Sequence, residues 1–213
     1  MADLTLRTGR SLGALGLFAI FVCAAAWGAE NKSPAELAYR AGKATADDKE
    51  ARPHFQQGVA AARGVLSQKP DDPAALLWLA ANLGSEALTH GRMHALGVVS
   101  EIESTLLRLE QTHPQYEHAA AARGLANLYW KAPSVISVGS SKKAARYFEL
   151  ALQRAPDYPG NQAMAAAFYA DDGDCGRARP LATAVQNRRD LAAFGADANE
   201  WRRLAAKALD DCK

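Results

Sequence analysis

His90 and His94 stand four residues apart in THGRMHA, a spacing at which two imidazoles on one helix can share a zinc ion. Gly91 between them signals a turn, and no third ligand is evident nearby. The pair reads as loop histidines, with a hydrolytic centre as the sharper alternative. His113 and His118 flank Pro114 and read as helix-end residues that satisfy the last carbonyls. SVGSSKKAA has the outline of an anion cradle, with a turn at Gly139, Ser140 or Ser141 at a helix start, and Lys142 and Lys143 behind it. It lacks the second glycine and the Lys-Ser/Thr order of a nucleotide loop, so a plain N-cap is expected. DDGDC, from Asp171 to Cys175, is too short for a calcium loop and has no closing glutamate. No Ser/His/Asp or Cys/His arrangement can be assembled, so the sequence predicts a non-enzyme without metal or cofactor.

The elements that would position these residues follow from composition and period. The chain has 213 residues, of which 49% are hydrophobic and 23% charged, enough apolar material for a core. Its net charge of +2 is too slight to argue for nucleic acid or an anionic membrane surface. Arg7 and Arg10 precede the apolar stretch SLGALGLFAIFVCAAAWGA, which ends in small residues, the layout of a secretory signal peptide over 1–28. Cleavage is expected after Ala26 or Gly28, and an uncleaved anchor is the alternative and the one route to a membrane. Val22 stands where a lipid-anchor signal before Cys23 needs a small residue. The expectation is therefore an exported, periplasmic protein. Removing that segment leaves Cys175 and Cys212, an even pair that reads as a disulfide in an oxidising compartment.

Apolar stripes at i, i+4 and i+7 recur along the rest of the chain. They are Gly58, Ala62, Val65 and Leu66; Ile102, Leu106 and Leu109; Ala144, Phe148 and Ala151; and Ala178, Ala182 and Val185. The first three end at Pro70, Pro114 and Pro156, because proline cannot continue a helix. Each stripe follows another helical segment: SPAELAYRAGKA and DPAALLWLAANLGSEAL, which open with Ser33 and Asp72 before proline, then EHAAAARGLANLYW and NQAMAAAFYA. A helix, a turn, a second helix and a proline at a period near 34 resembles the tetratricopeptide repeat. The resemblance implies an all-α fold of helical hairpins stacked into a superhelix over 29–190. Two insertions, LTHGRMHALG and KAPSVISVGSSK, lengthen the second and third copies. Residues 191–213 supply a connector and a capping helix, with Trp201, Leu204, Ala205, Ala208, Leu209 and Cys212 on one face and Asp197 as its cap.

Repeat arrays offer binding surfaces more readily than reactive pockets. Asn82 and Asn127 occupy similar places inside Ala/Leu-rich helices and either bond across the stack or face a ligand. Tyr129, Trp130, Lys131 and Ile136 are the other candidate contacts, since aromatic anchors and an apolar loop suit an interface. The segment RGLANLYWKAPSVISVGSSKKAARYFELALQRAPDYP resembles the T component of tripartite ATP-independent periplasmic transporters. Gly124, Leu128, Tyr129, Ala132, Pro133, Gly139, Lys142, Lys143, Ala144 and Pro156 carry the likeness, which spans roughly residues 74–190. That resemblance implies an exported helical binding protein that docks a periplasmic partner such as a solute-binding subunit. A carrier of a small apolar ligand held between helices is the alternative, and a homo-oligomer is compatible with either.

Overall fold

A computed structural model describes residues 32–195 and 197–213. The signal-segment expectation for 1–28 lies outside the described residues. Within them the fold is all-α, and no helix is long and apolar enough to cross a membrane.

Short polar side chains start the helices where the sequence places them. Helix α1 (Pro34–Ala44) opens with Ser33, whose hydroxyl accepts from the Glu36 backbone N–H at 3.1 Å. The Glu36 carboxylate pairs with Arg40 at 2.7 Å. Helix α2 (Asp48–Leu66) is capped by Asp47, and α3 (Pro73–Leu88) by Asp72, which accepts from the Ala75 N–H at 2.9 Å. The first insertion forms a four-residue helix, α4 (Arg92–Ala95), and a 3-10 turn at Leu96–Val98. Then come α5 (Val99–Thr112), α6 (Tyr116–Lys131), α7 (Ser141–Arg154), α8 (Pro159–Asp171) and α9 (Cys175–Gln186). A 3-10 turn at Leu191–Phe194 leads to α10 (Asp197–Asp211), which begins at Asp197, one position earlier than a cap there would allow.

Each helix packs on its neighbours in the chain. Helix α2 lies on α1 and α3, α5 on α3 and α6, α7 on α6 and α8, and α10 on both α8 and α9. The stripes make these contacts. Ala144, Phe148, Ala151, Ala178, Ala182 and Val185 are fully buried, and Ile102, Leu106 and Leu109 are buried. The first stripe needs correction. Val65 is 39% exposed, and the buried row of α2 runs upstream instead, through Ala51, Phe55, Gly58 and Ala62. Spacings of four, three and four residues keep that row on one face, packed on α1 and α3, and Val65 lies past the packed stretch in the last turn of the helix.

Asn82 explains the glycine in that row. It is fully buried and donates to the carbonyls of Trp78 in its own helix at 2.7 Å and of Ala35 in α1 at 3.0 Å, so it ties α3 to α1 and reaches no ligand surface. Its oxygen has no donor among the described residues and faces Gly58, where a Cβ would lie only 2.2 Å away. Gly58→Ala would ordinarily favour a helix by roughly 0.5–1 kcal/mol. Here it should destabilise by about 1–3 kcal/mol, because the amide must give up its bonds to make room. Urea unfolding of that variant checks the sign.

Candidate functional site

The C-terminal ends of α3, α6 and α8 lie together along one edge. Trp130, at the end of α6, donates its indole N–H to Asp171, at the end of α8, at 2.7 Å. Desolvation lowers the Lys131 pKa, opposed by Asp171 and helped by Lys207 and by Arg92, just beyond α3. Both insertions leave from this edge. They carry much of the exposed apolar bulk. Leu88 and Met93 belong to the first, and Val135 (93% exposed) and Ile136 to the second. Large apolar side chains held in water at neighbouring positions mark a contact surface more often than isolated ones do.

The sequence candidates divide between this edge and the interior. Asn127 and Trp130 are half-buried and Lys131 is exposed; Trp130 and Lys131 stand three and four residues beyond Asn127 on α6, on either side of its direction. Trp130 stands edge-on to Phe148 and Phe168, and the Lys131 ammonium sits 3.0 Å from the centre of its ring. Asn127 is half-buried and makes no hydrogen bond among the described residues. Ile136 projects from the loop that follows. Tyr129 turns the other way. It is buried against Tyr147 and donates its hydroxyl to Glu103 at 2.7 Å, and burial beside that carboxylate pushes its pKa well up. Tyr129 therefore braces α6 against α5 and α7, and with Asn82 it leaves the list of surface contacts.

The loop is fixed at its base. The Ser140 N–H donates to the Tyr129 carbonyl at 2.9 Å, and a Cβ on Gly139 would meet the Ala132 carbonyl oxygen at 1.9 Å. Ser140 then caps α7 by accepting from the Lys143 N–H at 3.3 Å, as a plain N-cap would. DDGDC is likewise a turn, with Gly173 at φ +80° and Asp174 capping α9.

Two histidine expectations change. His113 reaches across to the Asp71 carbonyl at 2.9 Å and does not serve its own helix end. His118 stacks on Tyr158, with ring centres 4.4 Å apart, inside a left-handed turn in which Glu117, His118 and Ala119 all have φ between 45° and 62°. Asn161 and Arg123 both donate to the His118 carbonyl, and Arg123 also reaches the Asn161 oxygen at 2.8 Å. His118 and Tyr158 border a cavity of about 360 Å³ whose wall also includes Arg154, Arg188 and Phe194. Arg154 is already paired with Glu110, and Arg188 with Asp190.

His90 and His94 do approach one another, with ring centres 4.5 Å apart. A third group joins them, contrary to expectation. Glu86, four residues before His90, contacts its Nε2 at 3.1 Å. The E-x-x-x-H spacing was present in the chain, but Gly91 reads as a break between the histidines when it is in fact the fold that returns His94. No family model and no curated protein matches the chain.

Proposed function

We propose that this chain is an exported, non-enzymatic helical binding protein that docks a protein partner along the edge where α3 and α6 end. The exposure of Leu88 and Met93 on the first insertion and of Val135 and Ile136 on the second carries the reading. Trp130, Lys131 and half-buried Asn127 flank that surface and supply a cation and hydrogen-bonding groups. The Cys175–Cys212 bridge supports an oxidising compartment, and the transporter resemblance makes a solute-binding subunit the partner to test first. An apolar-ligand carrier fits less well, because the cavity beside Tyr158 is walled by two arginines and a histidine.

A photoreactive side chain at Ile136 or Met93 should cross-link a single exported protein in cells. The same group at exposed Leu37, on α1, should not. Because the contact is largely apolar, the complex should persist in moderate salt. Adducts of equal yield at Leu37 and Ile136, or none at either insertion, would end the reading.

A further inference from the structure

We propose that Glu86, His90 and His94 form a binding site for a divalent transition-metal ion, with zinc as the reference ion. Each residue offers one ligand atom, and these atoms lie within 4.8 Å of one another. Two imidazole nitrogens and one carboxylate oxygen are a donor set suited to zinc, and to copper or nickel, rather than to calcium or magnesium. The backbone brings them together in two steps. Glu86 and His90 stand one helical turn apart where α3 ends, so their side chains share a face. Gly91, at φ +99°, then turns the chain sharply, and α4 carries His94 back over His90.

The surroundings already orient the donors. Gln56 of α2 donates to the Glu86 Oε1 at 3.2 Å, the outer-shell support that ligating carboxylates usually have. Arg52 bonds the Thr89 hydroxyl and carbonyl, each at 2.9 Å, and fixes the backbone between Glu86 and His90. Zinc with bonds of about 2.0–2.2 Å sets its tetrahedral donors roughly 3.4 Å apart. His90 and Glu86 are already closer than that, at 3.1 Å, so His94 makes most of the adjustment. It lies exposed on a four-residue helix. Arg92, two residues before His94, and Arg52, bonded to Thr89, both bring positive charge close to the site and temper the affinity for a dication. Three protein ligands leave one position open to water or to a donor from another molecule. The site is independent of the docking reading, since it would fill in the isolated protein.

The test is zinc titration of the untagged full-length chain by calorimetry, followed by metal analysis after dialysis. One equivalent is expected. His90→Ala, His94→Ala and Glu86→Gln should each weaken binding by about tenfold or more, and Gln56→Ala by about tenfold. His54→Ala, on α2, should leave it unchanged. His90 and His94 are exposed, so their removal should leave the helical circular dichroism intact and any loss of binding interpretable. Cobalt in place of zinc should give visible bands that vanish in the His90/His94 double variant. No zinc binding, or a loss below tenfold in that double variant, overturns the proposal.

Discussion

Asn161→Leu should lower stability by about 2–4 kcal/mol, although leucine matches asparagine closely in size. For a chain of this length that is a fall of roughly 5–15 °C in thermal midpoint. Asn161 is fully buried at the start of α8. Its amide protons are shared among the carbonyls of Ala151, Ala155 and His118, at 3.0, 3.1 and 3.2 Å. Its oxygen accepts from Arg123. One side chain thus joins α6, α7 and α8. Arg123 keeps some contact with solvent, yet desolvation holds its pKa below the ordinary arginine value, so its partners matter. Leucine would remove its shortest hydrogen bond and leave that cation, in direct contact among the described residues, the His118 carbonyl and the face of Tyr158. The left-handed turn adds to the loss. Three consecutive non-glycine residues at positive φ cost roughly 1–2 kcal/mol each, and the bonds to the His118 carbonyl help hold them there. Pairing Asn161→Leu with Arg123→Met should recover part of the loss, because the stranded charge goes too. A single variant within 0.5 kcal/mol of the parent would show that the clasp contributes little.

Opening the bridge between Cys175 and Cys212 should cost about 3–4 kcal/mol. The Cα atoms are 5.4 Å apart, within the range a disulfide requires, and 37 positions separate the two residues in sequence. The bond ties the first residue of α9 to the end of α10, across which Ala178, Ala182, Ala205 and Ala208 already pack. Cross-linking a loop of that length restricts the unfolded chain more than it alters the folded one. Guanidinium unfolding of the oxidised protein and of the Cys175→Ala/Cys212→Ala variant should therefore differ in midpoint. The slope should rise in the variant, whose unfolded state exposes more surface. Equal midpoints, or free thiols at both positions by mass mapping, would contradict the expectation.

Much of the fold was legible because its signals are local. Pro70, Pro114 and Pro156 each follow within a few residues of a helix end, whereas Pro53 and Pro180 sit in the first turns of α2 and α9, and Ser33, Asp72 and Ser140 start helices through their own side chains. The stripe at Ala144, Phe148 and Ala151 could be read for the same reason. The turn at Glu117–Ala119 could not. YEHAAAA contains no glycine or asparagine to mark a left-handed backbone, and the bonds that hold it come from Asn161, about forty residues on. Val65 was misplaced because a glycine and an alanine set the start of its stripe too late, when Phe55 was the anchor.

The candidate surface was legible in composition and not in direction. Tyr129 and Trp130 look alike as aromatic anchors, yet adjacent helical residues point about 100° apart. One therefore faces Glu103 in the interior and the other faces Asp171 at the edge. Asn82 and Asn127 diverge in the same way, one buried on Ala35 and the other left on a flank. Glu86 carries no local mark of a ligand, because it lies a turn up the helix before Gly91 and meets the histidines only through the fold.

The arrangement of the insertions has a consequence for how such a chain can change. Both sit where a first helix hands over to its second, on the same side of the stack, so either can lengthen without shifting any helix against its neighbour. Material grafted there inherits a rigid base, pinned by Ser140 in one case and by Arg52 in the other. The architecture thereby separates a frame that must keep its registry from a border open to revision, and novelty can accumulate along that border at little risk to folding.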